Sequence, residues 1–398
     1  MGWVPNGGFG WRRTATGGGG SGPVNPSTNG FRLSLASGVP KTDTDTTGDT
    51  VYDVEFRGNL KSLRYSDDWK TYQPGERSMV LPNDKHRIFD WFDYAIDADT
   101  AGSEWKAWDE SGQVTGTITG ATSDYPCVLT AANSLSVGDF VVVDDIVGDL
   151  GTDSLQGLNG AICKVSACDS TTITLEGMDT TSLTYTSGGN FYKLPVDREE
   201  DIERLDGQHV LSSDHTRIYR GSVRTGSTAG ESASTSATEW VFNYANQLDD
   251  FLVAKSEDDW TWTSPVSGVN PPRRATQGST KLGLTRCEVL VGLVEKSSME
   301  CSRQDRAVMG NDNTVIAGIT LNSCLATPVA AWTQSYTGST LWHTCRSKFT
   351  PALGLNFLQS TEGLAYSSGS SISFIGTDSA NTYSVDNLSG VMQVGIKR

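Results

Sequence analysis

Asp139-Phe-Val-Val-Val-Asp, Ala161-Ile-Cys-Lys-Val and Thr171-Thr-Ile-Thr-Leu stand close together in the middle of this chain and decide how the rest of it is read. Each is a short run rich in β-branched and apolar residues, bounded by Gly, Asn or Asp, and too short for a helix with a buried face. Together with Thr115–Ala121, Val128-Leu-Thr and Tyr185-Thr-Ser-Gly-Gly-Asn-Phe-Tyr-Lys they give five or six strands within residues 113–193. That spacing is what a small closed β-barrel needs.

Outward in both directions the same period-two texture continues in another style. Phe31-Arg-Leu-Ser-Leu, Val51-Tyr-Asp-Val-Glu-Phe, Lys61-Ser-Leu-Arg-Tyr, Arg87-Ile-Phe-Asp-Trp-Phe-Asp-Tyr and Glu104-Trp-Lys-Ala-Trp precede the barrel window. Gly207-Gln-His-Val-Leu, Arg217-Ile-Tyr-Arg-Gly-Ser-Val-Arg and Glu239-Trp-Val-Phe-Asn-Tyr resume the pattern after it. The barrel therefore reads as an insertion, 113–193, into a discontinuous β domain of 31–112 plus 194–247. Only Val196–Leu205, with Glu199, Glu200 and Glu203 among Arg198 and Arg204, carries a helical pattern. Residues 248–282, with Pro265, Pro271 and Pro272, read as an irregular connector. From 283 to 398, Cys287-Glu-Val-Leu-Val-Gly-Leu-Val, Ser371-Ile-Ser-Phe-Ile-Gly and Gly390-Val-Met-Gln-Val-Gly-Ile predict a C-terminal antiparallel sandwich of jelly-roll type. The fold class expected is all-β and multi-domain, as a length of 398 residues also implies.

Residues 1–30 hold the run Gly17–Gly20, Pro5, Pro23 and Pro26, and have little to bury, so they read as a flexible or docking arm. Trp3 and Trp11 favour docking, because aromatics anchor interfaces. Trp260 and Trp262 alternate around Thr261 and are the candidates for contact with a neighbouring subunit. The remaining tryptophans read as core or subunit-interface fillers before sugar platforms.

The balance of 31 Lys+Arg against 47 Asp+Glu, net −16, repels phosphate backbones and anionic membranes, so no nucleic-acid partner is expected. Membrane insertion is not expected either, since no stretch of about 18 apolar residues occurs. Met1–Arg13 lacks the apolar run of a secretory leader.

No phosphate-binding loop, dinucleotide glycine fingerprint, nucleophile elbow or HExxH is present, so no catalytic residue is assigned and no cofactor is expected. His86, His209, His215 and His343 are scattered, and His215 beside Asp214 reads as a turn next to a strand. Seven cysteines at 127, 163, 168, 287, 301, 324 and 345 have no paired CxxC spacing, which argues for buried thiols and against a metal. Asp43, Asp45 and Asp49 alternate as calcium ligands do, yet no acid completes the loop, and a hairpin turn is the reading taken. Asp67-Asp68, Asp144-Asp145 and Asp258-Asp259 read as solvated turns rather than a glycosidase pair. Asn387-Leu-Ser is a formal glycosylation site and is given no functional weight.

Gly30-Phe-Arg-Leu-Ser-Leu-Ala-Ser-Gly-Val-Pro, Tyr52 with Arg57-Gly-Asn, Leu63-Arg-Tyr-Ser-Asp-Asp-Trp, Arg217-Ile-Tyr-Arg-Gly-Ser-Val-Arg, Trp240-Val-Phe-Asn-Tyr-Ala-Asn and Gly354-Leu-Asn-Phe-Leu-Gln resemble segments of tailed-phage virion structural proteins, of tail-fibre or head-fibre type. The likeness covers most of 30–398, the middle excepted. Ile118-Thr-Gly-Ala-Thr, Pro126-Cys-Val-Leu-Thr-Ala, Val137-Gly-Asp-Phe-Val-Val-Val and Leu158-Asn-Gly resemble a small barrel module of phage structural proteins, itself similar to the first catalytic-cysteine half-domain of ubiquitin-activating enzymes. Here it implies a decorating barrel without thioester chemistry, with Cys127 on a strand. The resemblance implies a non-enzymatic virion subunit, assembled in the bacterial cytoplasm and homotrimeric, with other tail or capsid proteins as partners. A host receptor or glycan would then be its target. Head fibre or capsid decoration is the alternative, and polysaccharide depolymerase the second.

Overall fold

In a computed structural model the protein is all-β and multi-domain. The description covers residues 81–244, except 153–156, 179, 182 and 233–236, and outside that span the strands named here, the strands Arg32–Leu35, Val54–Arg57, Ser62–Tyr65, Asp68–Thr71 and Arg77–Met79, and the links 292–293, 322–323 and 350–353.

The barrel forms because its strands leave no edge unpaired. Its order runs Thr115–Thr117, Ser187–Leu194, Phe140–Val147, Ala161–Cys168, Thr172–Leu175, Val128–Thr130, Gly120–Ala121. The two ends of that list are one stretch of chain. Ile118 donates its N–H to Gly189 on one side (2.9 Å) and Thr119 to Thr130 on the other (2.8 Å), so the kink between them closes the cylinder. Ile118, Leu129, Val141, Val143, Cys163, Val165, Ile173 and Phe191 fill the inside. Val142 points the other way, yet it too is buried, packed with Ile162, Leu194 and Phe357 of the C-terminal unit. A strand buried on both faces reads as a continuous apolar run, which is why Val141-Val-Val shows no alternation. Cys127 immediately precedes the strand Val128–Thr130 and is buried.

One described helix, Asp149–Thr152, sits on this barrel. Above it, Asn159 clips Ile146 by two hydrogen bonds, accepting from Ile146 N (2.8 Å) and donating to Ile146 O (3.0 Å). A Cβ added at Gly151 would lie 2.1 Å from Ile146 O and 2.8 Å from the Asn159 amide, a backbone clash that no side-chain rotation relieves. Gly151→Ala is therefore expected to cost about 1–3 kcal/mol, read as a lowered urea midpoint at unchanged slope.

The second unit joins segments from both sides of the barrel in one sheet: Ile202–Leu205, Gln208–Leu211, Ile218–Arg224, Ile88–Ala95, Ala101–Ala107, with Val241–Asn243 also on Ile218–Arg224. A bulge between Tyr219 and Gly221 shifts its register. One face packs Phe89, Trp91, Val210, Ile218 and Val223. The other packs Ile88, Phe92, Trp108, Tyr219 and Phe242 against Leu290 and Leu293.

The third unit is a sandwich. One sheet runs Thr238–Glu239, Arg286–Val291, Gly354–Ala365, Asn313–Leu321, Ala330–Tyr336, with Arg273–Arg274 also on Gly354–Ala365. The other runs Asp250–Lys255, Val391–Lys397, Ser298–Met309, Ser371–Phe374, Trp260–Thr263, with Thr340–Phe349 beside Ser298–Met309. Leu252, Val289, Met299, Ile319, Leu358, Met392 and Val394 meet between them.

Two expectations are corrected here. The connector 248–282 is not irregular throughout, because Asp250–Lys255, Trp260–Thr263 and Arg273–Arg274 each pair into the sandwich. Leu252 and Ala254 alternate into its core, a signal that the nearby prolines obscured. Nor is Val196–Leu205 a helix: 196–201 are irregular and Ile202–Leu205 is a strand. Its charges serve distant partners instead of one another. Arg198 reaches Asp90, Glu199 accepts from Ser111 N, and Glu200 pairs with Lys106.

Candidate functional site

The residues singled out in the sequence do not converge. Trp3–Asn6 pairs with Gly10–Arg13 as an antiparallel hairpin, with Trp11 opposite Pro5, so part of the 1–30 arm is ordered into strands. Trp260 and Trp262 take alternate positions of the strand Trp260–Thr263, opposite Phe374 and Ile372. Asp43, Asp45, Asp49, Asp67, Asp258, Asp259, Asn387 and Cys324 lie outside the described residues. Cys127, Cys163, Cys287, Cys301 and Cys345 are buried, and Cys168 is half-buried. Asp214 is bound by Thr216 and Arg217 while His215 faces Glu203 at 2.6 Å, so these neighbours do not act as a pair. No cluster of three or more metal-ligating side chains occurs among the described residues.

What the fold does bring together is a layer of buried charge along the strand Ile218–Arg224. Arg220 pairs with Asp93 (2.9 Å), which also accepts from Trp91 Nε1 and Ser103 Oγ. Ser222 donates to Asp90 (2.6 Å) and accepts from the Tyr219 hydroxyl (2.6 Å). Asp90 further accepts from Trp108 Nε1 (2.8 Å) and pairs with Arg198, whose Nη2 goes on to the Gly292 carbonyl (2.6 Å). The Arg198 guanidinium lies 4.4 Å from the Trp108 ring centroid. Arg224 pairs with Glu288 (2.8 Å), which also takes Arg286 (2.6 Å) and Trp240 Nε1 (2.8 Å). Arg224 in turn stacks 4.1 Å from the Trp240 ring.

Burial pushes the Glu288 carboxyl up, but Arg286 and Arg224 outweigh it and hold the group below its ordinary value. Burial, with the Asp90 charge beside it, drives the Tyr219 hydroxyl far upward, so it stays a donor. A buried carboxylate removed from its arginine is strongly unfavourable, so each pair fixes where its two strands must lie. Asp90 and Ser222 lock neighbouring strands, Arg198 ties the stretch following the barrel to Gly292, and Arg224 with Glu288 ties the second unit to the sandwich. The signal for this layer was present in Ile88-Phe-Asp-Trp-Phe-Asp and Tyr219-Arg-Gly-Ser-Val-Arg, where charges interrupt otherwise apolar strands with opposite sign.

The barrel is clamped on two sides. Toward the sandwich, Phe140 meets Phe357 edge to face at 5.8 Å and Ser323 donates to Glu176 (2.7 Å). Toward the second unit, His86 Nε2 lies 3.0 Å from Asp144 Oδ2, Lys85 Nζ is 3.0 Å from Asp145, and the Gln113 amide donates to the carbonyls of Lys85 and His86. Asp144-Asp145 is thus a junction and not a solvated turn. Both sides of it carry left-handed backbone, φ 51° at His86 and 60° at Asp145. For residues other than glycine this costs on the order of 1 kcal/mol and persists only where surroundings enforce it. Part of the barrel's outer wall is covered by Phe357 and Leu355 of the sandwich.

No family model matches the chain, and no curated protein matches it. Among solved structures it is similar to the infectious bursal disease virus VP2 subviral particle, at 10% identity over 80% of this chain and 74% of that one, TM-score 0.21. It is also similar to a Bacillus thuringiensis Cry1Da tryptic core variant (9%, 88% and 51%, TM-score 0.15) and to the insecticidal delta-endotoxin Cry8Ea1 of Bacillus thuringiensis (9%, 75% and 54%, TM-score 0.17). At such TM-scores the likeness carries no weight for function.

Proposed function

We propose that the chain is a structural subunit of a tailed-phage virion, of tail-fibre or adsorption type, that works by assembly and surface binding. What supports this reading is the resemblance of its segments over most of 30–398, the middle excepted, to virion structural proteins. Its architecture is compatible: the buried pair Arg224–Glu288 joins the second unit to the sandwich, and the buried pairs Arg198–Asp90 and Arg220–Asp93 hold the second unit itself together. In this reading the hairpin bearing Trp3 and Trp11 docks to the particle, three copies associate, and the sandwich presents a surface to a host receptor or glycan. Trimeric presentation would turn weak contacts into avidity.

Imaging of particles labelled with antibody against residues 283–398, beside particles lacking the protein, tests it. Label confined to the tail together with lost adsorption is the expected result. Label spread over the head with normal adsorption overturns it in favour of capsid decoration.

A further inference from the structure

One buried titratable group at the barrel junction is not consumed by the charge layer. His86 is 2% exposed and wedged between Asp144 and the Tyr192 ring, whose centroid is 5.1 Å away. A neutral ring that donates from Nε2 to Asp144 leaves Nδ1 as its acceptor, and Nδ1 is buried without a hydrogen-bond partner. Asp144 and Asp145 face it from the strand Phe140–Val147, and Tyr192 from Ser187–Leu194. Lys85 flanks it on its own segment, where Arg87 is engaged by Asp84 and Asp109. Behind it stands Arg224, engaged by Glu288.

We infer that this junction is an acid-operated latch: proton uptake at Nδ1 of His86 releases the barrel's Asp144-Asp145 edge from residues 82–87, while barrel and sheet each keep their own fold. The geometry supplies the reason. A proton on Nδ1 places an N–H where no acceptor stands and adds positive charge beside Arg224 and Lys85. Asp144 alone favours it, and its other oxygen already accepts from Asp145 N (2.9 Å). His86 and Asp145, on the two sides of this contact, both hold left-handed backbone, and opening the contact removes one of the restraints on it.

Burial is the largest influence on His86 and holds it below its ordinary 6.5; Arg224 and Lys85 add to that and Asp144 opposes it. For a base depressed in the closed form, closure is fully favoured above 6.5 and weakens as pH falls toward the closed-form value, below which it changes no further. The closed-to-open ratio falls about tenfold for each unit of depression. Asp144 is held below its ordinary 3.8 and stays charged through that window. Burial alone would raise it; His86 and the Asp145 amide overcome this.

The test is peptide-resolved hydrogen–deuterium exchange on the full chain at about pH 7.5 and about pH 5, corrected for intrinsic rates. Peptides spanning 82–87 are expected to lose protection by about tenfold or more at the lower pH, and those spanning 144–148 and 161–168, which pair within the barrel, to keep it. In His86→Gln, which can donate to Asp144 but cannot charge, that difference is expected to vanish. Unchanged protection in the wild type, or acid opening that survives in His86→Gln, overturns the latch. If His86→Gln does not fold, wild-type histidine C2-hydrogen exchange decides: a His86 midpoint below 6.5 supports the latch, and one at or above 6.5 overturns it.

Discussion

Glu288→Ala is expected to lower stability by about 3–5 kcal/mol, enough to leave much of the chain unfolded or aggregated at ordinary temperature. The Glu288 side chain is 6% exposed and stands between Arg224 at 1% and Arg286 at 9%, so its removal leaves two guanidinium groups buried, near each other, without the carboxylate that both are paired with among the described residues. The Trp240 indole loses its acceptor as well. Denaturation in urea measures the effect, and a loss below about 1 kcal/mol would show that the pair is hydrated or dispensable. Glu288→Gln separates charge from shape, because it keeps an acceptor for Trp240. The pH dependence has a definite sign. A carboxyl held below its ordinary 4.5 contributes stability that is present above that value and lost as pH falls through the folded one. The acid limb below about pH 4.5 should therefore flatten in Glu288→Gln, a window separate from that of His86.

The barrel was the most legible part of the fold, because Val141-Val-Val and Ile173-Thr-Leu are β-branched runs too short for a helix and bounded by turn residues. Its closure was not legible. The kink at Ile118-Thr119 depends on hydrogen bonds to Gly189 and Thr130, which lie far apart in sequence. The same limit explains the helix expected over Val196–Leu205. Alternating Glu and Arg at helical spacing stabilise a helix only when they face each other, whereas here Arg198 and Glu200 find partners in Asp90 and Lys106. The connector was misread because proline marks breaks in a ladder but says nothing of the strands between them. Of the candidate site, sequence reasoning took Asp144-Asp145 for a turn and His86 for an isolated histidine. Their meeting requires the insertion to fold back on its host sheet, and nothing local encodes that.

Buried ion pairs add little net stability over well-packed apolar groups, but they penalise every wrong alignment. This protein needs such a device because its second unit is assembled from chain on both sides of an inserted barrel, and apolar strands alone tolerate slippage. Asp90 and Asp93 on Ile88–Ala95 face Ser222 and Arg220 on Ile218–Arg224, so a one-residue slip would set charge against apolar core.

Arg198 tests that idea most directly. Arg198→Leu is expected to cost about 3–5 kcal/mol, since Asp90, 3% exposed, keeps its hydrogen bonds from Ser222 and Trp108 but loses its only described counter-ion. The Gly292 carbonyl loses a donor and Trp108 loses its stacked guanidinium in the same step. Arg198→Lys should recover only part, because an ammonium cannot reach both Asp90 and Gly292 in the planar geometry that the guanidinium uses. If the pair acts as a unit, Asp90→Asn combined with Arg198→Leu should be less damaging than the sum of the single changes by about 0.5–3 kcal/mol in a double-mutant cycle. Strict additivity would mean that Arg198 acts through Gly292 and Trp108 alone. The ion pair would then lose its place as the lock between the host sheet and the segment that leaves the barrel.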